Sequence, residues 1–179
     1  MRTLTIHLSL AFLAVLAVSC STPPEPSATK PDGSGEKTAA VLTSDGKAVL
    51  RLTLPPGTQT FDKDEMLTVA QGQGHCRFYL WPVKNARTLE DAVPRVAELI
   101  RSEFIEFKPA GTKDLTVAGA PARQVSGSGK EADDGDPGLA EVVLFTAGGH
   151  VFAACVHGEE LLPAARDLMM AAIQTAKAP

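Results

Sequence analysis

The alternation of apolar and polar positions predicts strands at 48–54, 66–70 and 76–81, the first closed by Pro55-Pro56-Gly57 and the third by Pro82. In the third, a period of two puts Cys76, Phe78 and Leu80 on one face and Arg77, Tyr79 and Trp81 on the other. The period then changes. Leu89, Val93, Val96, Ile100 and Phe104 recur at helical spacing behind a Thr88/Asp91 capping pair; Pro94 either falls in the first turn, where no N–H is required, or kinks the helix. Further strands are expected at 114–117 and 122–125, joined through Ala118-Gly119-Ala120-Pro121. Residues 127–138 are polar and acidic and read as a long hairpin loop. The segments 141–146 and 150–156 form a second hairpin through Ala147-Gly148-Gly149, and their continuous apolar character predicts burial on both faces. A last helix is expected from near Gly158, with Glu159 and Glu160 at its positive end and Leu161, Ala165, Leu168, Ala172 and Ile173 as its buried stripe. The resulting order predicts an α+β fold, an antiparallel sheet of about six to seven strands covered by two main helices.

Ahead of this domain the pattern is of another kind. Arg2 precedes an apolar run from Leu4 to Val18, which ends in Ala17-Val18-Ser19-Cys20, the outline of a secretory signal. Its end resembles the lipobox of bacterial lipoproteins, with Ala17 where Leu is usual, and that resemblance implies cleavage before Cys20 and lipidation of Cys20. Several acyl chains at about 0.8 kcal/mol per buried CH₂ make such an anchor effectively permanent. Ser21, rather than Asp, follows the cysteine, which by the Gram-negative sorting rule implies the outer membrane, facing the periplasm. Residues 21–39 hold Pro23, Pro24, Pro26 and Pro31 and no large apolar side chain, so they read as a tether. The expected organisation is therefore a signal peptide at 1–19, lipidated Cys20 and tether at 20–39, and one domain at 40–179.

A net charge of −4 argues against a nucleic-acid partner. Three cysteines are too few for a disulfide scaffold. Cys76 and Cys155, both in expected apolar strands, leave three readings open: a cross-strand disulfide, two buried thiols, or a soft-metal or thiol-redox site completed by His157 on the Cys155 face. His150 and His157 are expected on opposite faces of one strand. Glu131, Asp133, Asp134, Asp136 and Glu141 crowd one segment but miss the calcium-loop spacing, because Lys130 takes the first ligand position. Ser126-Gly127-Ser128-Gly129-Lys130 satisfies neither a nucleophile elbow nor a phosphate-binding loop. No catalytic residues, cofactor or established metal site can be named, and the chain is not expected to be an enzyme.

Across about residues 45–176 the chain resembles the PsbP-like fold, which includes many bacterial envelope lipoproteins. The resemblance rests on Leu54-Pro55-Pro56-Gly57 after the first strand, on Leu89-Glu90-Asp91-Ala92 opening the helix, on the turn from Thr116 to Ala122, and on the apolar hairpin and C-terminal helix. Thr58 stands where the family often has an aromatic. The resemblance implies a non-enzymatic role in binding or assembly, with an envelope protein or another envelope component as partner. Tyr79 and Trp81 read either as residues packed under a covering helix or as an exposed partner surface, to which the acidic segment would add.

Overall fold

Strand formation follows the β-branched and aromatic runs, and the turns follow glycine. In the computed structural model, which describes residues 38–72 and 76–179, β1 (Thr38–Ser44) and β2 (Lys47–Leu54) form an antiparallel hairpin of their own. Five further strands, β3 (Thr58–Lys63), β4 (Met66–Gln71), β5 (Cys76–Pro82), β8 (Pro137–Ala147) and β9 (His150–Gly158), join β6 (Phe104–Val117) and β7 (Ala120–Glu131) in one antiparallel sheet. Its seven strands run in the order β3-β4-β5-β9-β8-β7-β6. The α+β architecture is therefore the expected one. The signal, Cys20 and the tether up to residue 37 lie outside the described residues. Thr38 and Ala39, assigned to the tether by composition, open β1 and pair with Leu54 and Thr53.

Both faces of the sheet are covered, which is why its central strands are apolar without interruption. On one face lie the β1-β2 hairpin and α3 (Pro163–Ile173). Leu50, Leu52, Leu54, Phe78, Phe145, Phe152, Leu168 and Met169 fill that core. On the other lie α1 (Leu89–Ala92), a 3₁₀ turn (Val93–Arg95) and α2 (Val96–Leu99), packed through Leu89, Ala92, Val96 and Ile100 onto Val142, Leu144, Ala153 and Cys155. The capping box at Thr88 and Asp91 forms as expected, each side chain accepting the other's backbone N–H. The bond that the Asp91 carboxylate accepts from the Arg87 N–H, and next that from the Thr88 N–H, hold this carboxyl below its ordinary range.

Several elements differ from expectation, each for a local reason. The single amphipathic helix is broken at Pro94, whose missing N–H leaves no α-helical bond to give, so the chain takes a 3₁₀ turn there. Phe104 opens β6 instead of completing the helical stripe. The long loop at 127–138 is mostly ladder. β7 runs to Glu131, and β8 begins at Pro137, with Gly127 opposite Ala140 and Gly129 opposite Gly138. The last helix starts at Pro163 behind an uncapped Leu162, so Glu159 and Glu160 lie outside its first turn. Two strands were not expected: β3, which is mostly polar, and β1, whose alternating Ala40 and Leu42 adjoin the composition of the tether.

The glycine turns do hold. Ala118 and Gly119 both have positive φ, at 50° and 81°, between β6 and β7. The side chain of Gln174 clamps that turn from the end of α3. Its Oε1 accepts from the Ala118 N–H at 2.8 Å, and its Nε2 donates to the Thr116 carbonyl at 2.8 Å. Among the described residues no helix is long and apolar enough to cross a membrane.

Candidate functional site

The face of β5 that carries Arg77, Tyr79 and Trp81 is the one beneath α2. Its helical cover is only two short turns, so it does not close over the whole row. Two adjoining cavities result, and Ser102, at the bend between α2 and β6, lines both. The first, of about 270 Å³, is bounded by Arg77, Tyr79, Glu103, Glu131, Asp133 and His157. The second, of about 290 Å³, is bounded by Met66, Trp81, Lys84, Arg95 and Leu99 among others. Glu65 walls its far side: it pairs with Lys84 at 2.7 Å and accepts from the Asp45 N–H at 2.8 Å. Lys84, then that backbone bond, holds the Glu65 carboxyl below its ordinary range.

His157 is the organising residue of the first cavity. Its side chain is only 4% exposed, and its Nδ1 lies 3.0 and 3.1 Å from the two carboxylate oxygens of Glu131, itself 14% exposed. A carboxylate accepts, so the donated proton is on Nδ1, and in the neutral imidazole Nε2 then keeps its lone pair. Tyr79 stacks on the imidazole at 5.1 Å and 14°, and Phe104 leans on it at 5.7 Å. Burial, with Glu103 and Glu131 adding to it against Arg77, pushes the Tyr79 hydroxyl up to about 12.

Two polar side-chain atoms are buried without a hydrogen-bond partner among the described residues: His157 Nε2 and Trp81 Nε1. Each belongs to a residue lining one of the adjoining cavities. An unmet buried donor or acceptor costs about 1–3 kcal/mol, so such atoms are rare unless something else satisfies them. One is on β5 and the other on β9, where His157 stacks on Tyr79, so both lie on the same face of the sheet and mark the groove.

The sequence placed Tyr79 and Trp81 on this face correctly, either packed under a helix or exposed as a patch, and the structure has the first: Tyr79 is buried and Trp81 is half-buried against the helical core. The Glu131–His157 pair was missed altogether, because residues 127–138 were read as loop. The available signal was period two: from Val125, two-residue steps lead through Gly127 and Gly129 to Glu131 on the same face.

Cys76 and Cys155 are both free. Of the three readings left open, the cross-strand disulfide does not fit the sheet: Cys76 packs on the α3 face with Phe78 and Leu80, whereas Cys155 belongs to the core under α1 and α2. For the same reason Cys76, Cys155 and His157 do not converge on a metal, and no cluster of metal-ligating side chains occurs among the described residues. Cys155 and His157 do share a face, as expected, and His150 packs near Phe152 on the other. Complete burial pushes the Cys155 thiol far up, so it is a small hydrophobe rather than a nucleophile. Alkylation of the native chain is expected to label Cys76 and leave Cys155 untouched until denaturant is added, as read by intact mass. Labelling of neither residue without reduction would instead show them bonded.

The acidic segment is also divided by the fold. Glu131 faces His157, whereas Glu141 is buried on the opposite face and accepts from Arg166 Nε of α3 at 2.9 Å. Asp134 Oδ1 accepts from the Asp136 N–H in the intervening turn.

No family model matches the chain, and no curated protein matches it. Among solved structures, it is similar to a protein of unknown function from Pseudomonas aeruginosa, at 15% identity over 74% of this chain and 88% of that one, with a TM-score of 0.39. It is also similar to LpqN of Mycobacterium tuberculosis, a protein involved in cell envelope biogenesis, at 17% identity over 82% of this chain and 86% of that one, with a TM-score of 0.32.

Proposed function

We propose that the chain is an exported protein, lipid-anchored through Cys20 in the cell envelope, whose domain binds an envelope component in the groove along Arg77, Tyr79 and Trp81. The observation that carries the binding reading is the pair of unmet buried polar atoms, Trp81 Nε1 of β5 and His157 Nε2 of β9, on one face of the sheet. The N-terminal segment supports the location. The apolar run to Val18, the lipobox-like Ala17-Val18-Ser19-Cys20 and the proline-rich tether together suit an anchored domain held off an outer membrane on its periplasmic side. The PsbP-like resemblance adds a non-enzymatic role, and among the described residues no hydrogen bond joins His157 to a hydroxyl or thiol: Glu131 orients the imidazole, and the nearby thiol, Cys155, is fully buried.

The reading is tested with a photoreactive amino acid at Ser102, the exposed position common to both cavities, in the full chain in living cells. Membrane fractions should yield a discrete adduct from position 102 and none from the exposed control position Lys113, and Cys20→Ser should release the chain from the membrane. Equal labelling from both positions, or none from position 102, would count against the groove. Membrane retention of the Cys20→Ser chain would count against the anchor.

A further inference from the structure

We propose, resting on the binding reading above, that the groove takes a small organic cation, with a guanidinium or ammonium head beside His157 and a carbonyl oxygen at Trp81. The charges around the first cavity carry the first half. Glu103, Glu131 and Asp133 line it against a single cationic side chain, Arg77. Glu131 is engaged with His157, whereas Glu103 and Asp133 enter none of the ion pairs formed among the described residues. They are thus carboxylates without a counter-ion.

The unmet buried atoms supply the polarity of the ligand independently. His157 Nδ1 donates to Glu131, so in the neutral imidazole Nε2 presents a lone pair, which requires a donor. Indole N–H can only donate, so Trp81 Nε1 requires an acceptor. One end of the groove therefore calls for N–H groups with positive charge, the other for an oxygen. Tyr79 and Trp81 are successive residues on one face of β5, roughly 6.6 Å apart at 3.3 Å per residue, which an extended basic side chain with its own amide carbonyl spans. A guanidinium is tolerated here: the Cζ of Arg77 lies 6.0 Å from the Tyr79 ring centre.

The test uses the full chain in detergent. Trp81 is its single tryptophan, so indole fluorescence reports this groove and nothing else. The probes are Nα-acetyl-arginine amide, its neutral isostere Nα-acetyl-citrulline amide, and anionic Nα-acetyl-glutamate amide. The arginine compound should give a saturable change and bind about tenfold more tightly than citrulline, because hydrogen bonds between charged groups are roughly twice as strong as neutral ones. Glu103→Gln and Asp133→Asn lie on half-buried and exposed positions that the core does not need, and each should weaken the arginine compound without moving Tm. Arg77→Ala, which removes a like charge, should tighten it. Equal or tighter binding of the citrulline or glutamate compound overturns the charge assignment while leaving a binding groove. Absence of any change with all three overturns the cation proposal, and the Ser102 crosslink then decides separately whether the groove binds anything.

Discussion

Gly129→Ala is expected to destabilise the domain by about 2–3 kcal/mol, in the upper range for overpacking a filled core. The reason is geometric. A Cβ at this position would lie 2.6 Å from the Ile105 carbonyl oxygen and 2.6 Å from the Phe104 ring. Neither neighbour can give easily, because one is backbone and the other is a fully buried aromatic. Gly138, directly opposite on β8, is hemmed in by the same ring at 3.2 Å and by the Gly158 carbonyl at 2.8 Å. The two glycines form the floor on which Phe104 lies, and Gly127 does the same for Phe107, with a Cβ there meeting that ring at 2.6 Å. For a domain of this size the loss lowers Tm by roughly 4–12 °C. Because Phe104 also leans on His157, the indole emission of Trp81 in the neighbouring cavity should shift in the folded Gly129→Ala chain. As a control, Gly111→Ala has open space around its added Cβ and lies on the exposed part of β6; it should leave Tm nearly unchanged. Equal melting of the two variants would show that the ring does not rest on Gly129.

Those glycines explain why part of the fold was legible and part was not. Ser126-Gly127-Ser128-Gly129-Lys130 was compared with phosphate-binding and nucleophile motifs, and its polarity placed it in a loop. Its actual role is steric, and steric need leaves no local trace: glycine in a strand looks like glycine in a loop until the ring that requires it is known. By contrast, the apolar runs of β8 and β9 and the alternation of β5 were readable because burial on two faces, or one, imposes a period on the sequence itself. The face assignment of β5 therefore stood: Arg77, Tyr79 and Trp81 do share the side beneath α2. The cysteines show the limit of that method. Period two correctly set Cys76 and Cys155 each on a face of its own strand, but which faces coincide depends on strand order and register, with Tyr79, not Cys76, opposite Cys155. The same missing register hid the Glu131–His157 pair, whose members lie on strands separated by β8.

That pair gives the second large effect. Glu131→Ala leaves the His157 Nδ1–H buried without an acceptor, at a cost of about 1–3 kcal/mol. Glu131→Gln retains a carbonyl oxygen of the same reach and should cost well under half as much. The comparison separates loss of the hydrogen bond from loss of volume, since glutamine fills the same space. Tyr79 supplies a second readout, because it is the only tyrosine in the chain and its ionisation can be followed by absorbance. Its hydroxyl is raised to about 12, first by burial, with the charges of Glu103 and Glu131 also contributing. A raised folded value means that the folded chain holds this proton more tightly than the unfolded one. The corresponding stability is present below pH 10, the ordinary tyrosine value, and is lost as pH rises from there through about 12. Both Glu131 variants should shift the midpoint slightly downward, since each removes the charge, while only Glu131→Ala should lower Tm appreciably at neutral pH. Equal loss of stability in the two variants would mean that the imidazole does not depend on an oxygen at position 131. An unmoved tyrosine titration in both would mean that the Glu131 charge does not reach Tyr79, and His157 would then be held by its two aromatic neighbours alone.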